Sequence, residues 1–394
     1  MSRTGGWQPL FISLAKTIAD EPHLPSRRAY HSVGGPGMFS TLGARLAVRK
    51  DQRHKIAYVL LAESDNFAKC GERQLAEWDI SFELFSGEDR ETATGHPWSH
   101  AAESAYTVTY RDDCPVYTTS ADGANSDHKW VGPIERSQPY PHHLPNFFLE
   151  AKSFYWYGTP EQVARQEGEL FYLRRKHGIK GRPFSLWEPS PEVCNPQGLK
   201  ACLAISDLPD VFSPSSDDLL ALFGHDRDTP FDRSLIEQCA DAFLEEDLTV
   251  AMNSKDIKFC IVRAGQHGTL LGQQFRDGRV TKTWIPAFYS ADDQDQIYDA
   301  RGSGSTFLGA FAVEYLQTGG DAIQAAIKAS VCASFAVDQD GLPNHNRGIT
   351  REAWNGATVA QRMLEYHSKH TVHEEAPVNA SELSRLPAGP QGTG

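Results

Sequence analysis

Asp299-Ala300-Arg301-Gly302-Ser303-Gly304-Ser305-Thr306-Phe307-Leu308-Gly309-Ala310-Phe311 is the stretch on which the reading of this chain depends. A strand-like approach ends at Asp299, Gly302 and Gly304 allow a sharp turn, and apolar residues then recur at helical spacing. Phe307, Leu308, Phe311, Ala312, Tyr315 and Leu316 fall on one face. Ser305 stands where a serine can cap a helix, and the pattern predicts a helix over 305–318. Free amides at such an end, helped by the helix dipole, make an anion site. A capped core helix with no ligand satisfies the same pattern.

Other phosphate and nucleophile motifs are absent. The segment is not a dinucleotide fingerprint, because Phe307 stands where the third glycine belongs. Neither G-x-x-x-x-G-K-[ST] nor G-x-S-x-G occurs anywhere in the chain.

Outward from this turn, apolar runs alternate with helical patterns. Strands are predicted at Leu10–Leu14, Ile56–Leu61, Phe154–Tyr157, Arg182–Trp187, Val211–Ser213 and Phe259–Arg263. Helices are predicted at Pro36–Val48, Pro160–His177, Ser216–Gly224, Leu235–Glu245, Ser305–Thr318 and Asp321–Phe335. Such alternation implies an α/β fold with a mainly parallel sheet covered on both faces. Glu91–Asn146 breaks it, with β-rich pieces at Tyr106–Arg111 and Val116–Thr119 among turn formers, and reads as a lid or insertion. One domain is expected over 1–372, followed by a polar tail, 373–394, of disordered composition.

Bulk composition narrows the partners. A net charge of −13 opposes broad binding to nucleic acid or anionic membrane. No apolar run approaches the roughly 18 residues a membrane helix needs. The N-terminus lacks the order of a secretory signal, so a cytoplasmic protein is expected. Seven scattered cysteines show no C-x-x-C, and His142, His143 and His345 lie in loops without spaced partners, so neither a zinc site nor a disulfide framework is expected.

The 299–311 segment resembles the C-terminal signature of the PfkB, or ribokinase-like, carbohydrate kinase family, D-T-x-G-A-G-D followed by an apolar helix. Further pieces follow the family's order. Gly34-Gly35 and the helix after it resemble its double-glycine substrate loop, and Asp20 resembles its acidic residue for substrate hydroxyls. Trp187-Glu188-Pro189-Ser190-Pro191 resembles its D-P-N-x-R strand end, and Asp210–Gly224 its N-x-x-E segment. Val262–Gly268 resembles its T-L-G-x-x-G turn beside the nucleotide. The tone is similar to that of fungal maintenance-of-killer-type members.

The resemblance implies a three-layer α/β/α sandwich with a small β-rich lid, and use of ATP and Mg²⁺ on a small-molecule substrate. It implies an anion hole at Gly302, Ser303 and Gly304, with Ser305 at the position of the catalytic Asp. Substrate contacts are implied for Asp20, Gly34, Gly35 and Phe39. Cofactor contacts are implied for Asp218, Gly265, Gly268, Asp299 and Arg301, with Asp218 helping to organise Mg²⁺ indirectly. Some relatives dimerise through the lid, and the insertion here suits a homodimer.

The departures from the family pattern bear on activity. A serine hydroxyl does not accept a proton unaided, and general-base assistance contributes about 10²–10⁴ in rate, so transfer is expected to be weakened or lost. Phe39 stands where the family carries an Asn clamp on sugar hydroxyls, which points to a less hydroxylated, partly apolar substrate. Three functions stay open at this point: a slowed kinase, a repurposed isomerase, lyase or cyclase, and a pseudokinase with a binding role.

Overall fold

The computed structural model describes residues 8–20, 32–62, 65–86, 106–111, 114–119, 136–244, 256–339, 341–348 and 352–370. Strands are numbered in chain order: β1 Phe11–Ser13, β2 Thr17–Asp20, β3 Ser32–Gly34, β4 Ile56–Ala62, β5 Ser81–Ser86, β6 Tyr106–Arg111 and β7 Cys114–Thr119. They continue with β8 Arg136–Ser137, β9 Ser153–Gly158, β10 Phe184–Pro189, β11 Val211–Phe212, β12 Ile257–Arg263, β13 Thr269–Phe275 and β14 Val280–Ile285. Nine of them form one sheet in the order β14-β13-β12-β11-β10-β9-β1-β4-β5. From β5 through β12 every neighbouring pair is parallel.

Side chains alternate across this sheet and feed two cores. Phe11, Tyr58, Tyr155, Leu186 and Phe259 face one core, while Ile12, Val59, Phe154, Trp156, Trp187 and Cys260 face the other. Burial on both faces is why these strands read as unbroken apolar runs. Helices Gly35–Ala47, Ser303–Gln317 and Ala322–Ser334 cover the first face; Pro160–Lys176, Pro196–Ile205, Ser216–Leu222 and Arg233–Asp241 cover the second. The result is the expected α/β/α sandwich.

Strict alternation fails at one edge. β13 and β14 add to β12 as an antiparallel meander, so the sheet is mixed. Their polar alternation, as in Gln273, Gln274, Thr281 and Lys282, lacks the apolar run by which the other strands were found. The helix expected at Leu235 starts at Arg233, because the Asp232 carboxylate accepts from Ser234 and Leu235 N–H. The strand expected from Arg182 starts at Phe184, the Arg182 guanidinium turning aside to pair with Asp210. Helix Asp65–Glu77, helix Val359–Lys369 and β5 were not anticipated.

Within 91–146, the span expected as a lid, β6 and β7 form a two-stranded antiparallel hairpin, and β8 joins β2 and β3, which precede that span, in a separate three-stranded sheet. The expected tail lies outside the described residues.

Helices Gly35–Ala47 and Ser303–Gln317 run parallel in backbone contact. A Cβ on Gly43 would overlap the Thr306 carbonyl oxygen, and one on Gly309 would overlap that of Ser40. They end side by side as well, the Gln317 side-chain amide donating to Ala47 O at 3.2 Å and accepting from Arg49 N–H at 3.1 Å. Glycine at 43 and 309 is required by this approach, which places both helix N-termini on the same side of the sheet.

Candidate active site

The helix expected from Ser305 begins at Ser303, because Gly302 takes the N-cap in left-handed backbone, φ +79°. Ser305 therefore lies in the first turn and is not the cap. No strand leads into Asp299 either; a 3₁₀ turn at Ala291–Gln296 and irregular backbone precede it.

Side chains pack on both sides of the turn. A Cβ on Gly302 would overlap the Phe39 ring, and one on Gly304 would overlap Nη1 of Arg263. Only glycine admits this double approach. The Ser305 hydroxyl, 5% exposed, donates to Glu188 Oε2 at 2.8 Å. The Tyr155 hydroxyl donates to the same carboxylate oxygen and lies 3.2 Å from Ser305 Oγ. Glu188 Oε1 pairs with Arg263 Nη1 at 2.9 Å. Arg263 also donates from Nε to Ser213 Oγ at 3.2 Å and from Nη2 to Ser213 O at 2.9 Å. Burial, followed by the neighbouring Glu188 charge, pushes the Tyr155 phenol well above its ordinary range, so it stays a neutral donor.

Parallel topology assembles this group. Glu188, Ser213 and Arg263 come from the carboxyl ends of adjacent strands β10, β11 and β12, or from just beyond them, and Tyr155 reaches them from the middle of β9 alongside. Crevices at such ends are where ligands bind in open α/β sheets. Tyr155 and Ser213 were not among the sequence candidates; Glu188 and Arg263 were seen only inside longer motifs. A signal existed only for Glu188 and Arg263, each a charged residue at the end of a buried apolar strand.

A cavity of about 840 Å³ opens beside the turn, within the range of small-molecule sites. Its polar wall includes Arg263, Asp299, Arg301, Ser303 and Gly304, and its apolar wall includes Phe288, Ile297, Tyr298, Ala333 and Val337. Gly265 and Gly268 also line it. Arg301 folds onto Asp299, its Nε 2.7 Å from Oδ2. The cavity thus gathers Ser303, Gly304, Gly265, Gly268, Asp299 and Arg301 of the sequence candidates. Gly302, Ser305, Phe39, Gly34, Gly35 and Asp218 are not on its walls. Gly34 ends β3 and Gly35 opens the next helix with φ +83°. Asp20 ends β2, and its side chain lies outside the described part of the chain.

The dimensions and chemistry fit a nucleotide: amides and guanidinium groups for phosphate, an apolar wall for a base. They fit a protein-held divalent cation poorly. Asp218 is buried, its carboxylate accepting from Ser215 Oγ at 2.7 Å and facing Arg227 at 3.4 Å. Burial raises its proton affinity. No group of three or more His, Cys, Asp or Glu suited to a metal occurs among the described residues. No helix among them is long and apolar enough to cross a membrane.

The geometry agrees with the comparisons to known proteins. Residues 171–346 match the family model described as pfkB family carbohydrate kinase. An uncharacterized protein of Schizosaccharomyces pombe is 26% identical over 382 residues, covering 93% of this chain and 95% of its own. Protein MAK32 of Saccharomyces cerevisiae is 29% identical over 207 residues, 50% of this chain and 52% of that one. Among solved structures, an E. coli protein assigned as a ribokinase II, in complex with ATP and Mg²⁺, superposes with a TM-score of 0.53 at 15% identity. That alignment covers 92% of this chain and 100% of the other.

Proposed function

Because the chain carries a PfkB-family domain on a ribokinase-like fold, we propose that it binds ATP in the cavity and slowly transfers a phosphoryl group to a small-molecule hydroxyl. The observation that carries this reading is the cavity wall itself, where the first-turn residues Ser303 and Gly304 stand beside two guanidinium groups and face an apolar surface. Bound ATP would supply the electrophilic phosphorus. The Ser303 N–H is taken by Ala300 O at 3.3 Å, so the Gly304 amide is the first-turn donor left on the wall to receive phosphate charge, and such fixed donors are where most of the protein's contribution to the reaction lies.

Proton removal is the weak step. Ser305 lies in the first turn of the helix, and Glu188 is the carboxylate its hydroxyl donates to. A proton arriving at Ser305 Oγ can pass to Glu188 Oε2 as Ser305 gives up its own. Glu188 also accepts from Tyr155 and Arg263, so both of its oxygens are already engaged when a proton has to be taken up. A slow rate follows. Phe39, packed on Gly302, presents no polar clamp, in keeping with a substrate less hydroxylated than ribose.

A second reading, binding or repurposed chemistry without phosphoryl transfer, draws on the position of Ser305, which is buried and off the cavity wall. Thermal unfolding with ATP, with and without Mg²⁺, followed by γ-phosphate transfer to a panel of sugars, nucleosides and apolar acids, separates the two. Stabilisation with turnover supports the first; stabilisation without turnover supports the second. No response to any nucleotide overturns the nucleotide site.

A further inference from the structure

We propose that Arg263 is the cation that reads nucleotide phosphate in this cavity, held in place for that task by Glu188. The inference rests on the nucleotide reading above and assigns its phosphate contact.

Arg263 belongs to two environments at once. It lines the cavity with Ser303 and Gly304, and it forms the ion pair with Glu188 behind the turn. A guanidinium carries five N–H donors. Three bonds fix it here, from Nη1 to Glu188 at 2.9 Å and from Nε and Nη2 to Ser213 at 3.2 and 2.9 Å. Two N–H groups remain on a side chain that is only 13% exposed and cannot swing freely.

Its position is otherwise unfavourable. The guanidinium packs against Gly304 in the first turn of the Ser303–Gln317 helix, where the helix dipole already concentrates positive charge. Glu188 offsets part of this from one side. On the cavity side Asp299, the one carboxylate on the wall among the described residues, pairs with Arg301 at 2.7 Å. An anion in the cavity would meet the Gly304 end of the helix and the remaining Arg263 donors together, and planar guanidinium geometry suits phosphate oxygens. Asp218, the carboxylate expected to help a metal meet that charge, is turned to Ser215 and Arg227. The ligand class is a nucleoside diphosphate or triphosphate, with part of its phosphate charge met directly by protein.

Calorimetric titration of the full chain with adenosine, AMP, ADP and ATP, all in EDTA, tests this. The wild type should bind ATP about ten- to a hundredfold more tightly than adenosine without metal, the worth of charged hydrogen bonds. Arg263→Met should erase that gain while adenosine binding persists. Because this change leaves Glu188 unpaired, the double variant Glu188→Gln with Arg263→Met is the companion that carries no stranded charge, and it should behave alike. A phosphate gain that survives in either variant, or a wild type that binds adenosine and ATP equally in EDTA, overturns the assignment to Arg263 while leaving the nucleotide site standing. A wild type that binds neither adenosine nor ATP overturns the nucleotide reading and this inference together.

Discussion

Ser305 and Glu188, 117 residues apart in sequence, share a hydrogen bond of 2.8 Å in which the serine hydroxyl donates to the carboxylate. The position expected to hold the catalytic acid is therefore not short of a carboxylate. One reaches it from the end of the neighbouring strand, already engaged by a tyrosine and an arginine.

Restoring an aspartate at 305 is consequently not a simple repair. Ser305→Asp would place two carboxylates in one buried site, where the second ionises only at a cost of several kcal/mol. The raised folded-state pKa means this loss is absent below about pH 4 and grows as pH rises through that value. Thermal unfolding should show a lower Tm for Ser305→Asp at pH 7 than at pH 5. Ser305→Asp with Glu188→Gln should recover the Tm and raise phosphoryl transfer by about 10² or more. Equal Tm values for the two variants would show that 305 and 188 do not interact.

The Glu188–Arg263 pair should behave as a coupled unit. Removing one partner of a buried pair costs about 3–5 kcal/mol, mostly by stranding the other charge. Glu188→Gln and Arg263→Met should each destabilise strongly in urea unfolding, with the double variant much less affected than the sum. Additive losses would contradict the pairing.

Two helical glycines should respond in opposite senses. Gly309→Ala drives a methyl into the Ser40 carbonyl oxygen, so the helices must part, at a cost of about 3 kcal/mol. Gly168, within helix Pro160–Lys176, has open space where a Cβ would stand, and Gly168→Ala should stabilise by about 0.5–1 kcal/mol. Chemical denaturation of both variants checks the signs.

Acid sensitivity should concentrate in one largely buried cluster. Burial by itself would raise the Glu352 pKa, but the hydrogen bond to His345 and the charges of Arg45 and Arg53 outweigh it and hold it at about 2, against 4.5 unperturbed. A depressed carboxylate contributes stability that is present above the unfolded value and lost as pH falls from 4.5 toward 2. Glu352→Gln should destabilise at pH 7 and flatten the profile over that window in urea titrations.

The sheet was legible in the sequence where physics gives the strands a signature. Buried parallel strands such as Ile56–Ala62 and Ser153–Gly158 carry unbroken apolar and aromatic runs, and their positions were read closely. β13 and β14, half polar at an edge, carry none. The glycine turn at 302 and 304 was legible because left-handed backbone and close packing demand glycine. The Tyr155–Glu188–Ser305–Arg263 network was not, since its members meet only once the sheet order places β9, β10, β11 and β12 side by side. Phe39 read as an apolar substrate wall; the ring rests on Gly302, 7% exposed and off the cavity wall.

The backbone seam between Gly43 and Gly309 has an electrostatic corollary. Two helices locked side by side in the same direction superimpose their fields, each equivalent to about half a positive charge at its start. In a chain of net charge −13 this makes a local attractive well within a repulsive surround. Anions small enough to slip past the outer field would be drawn in, and their capture rate should rise with ionic strength, the reverse of ordinary electrostatic steering.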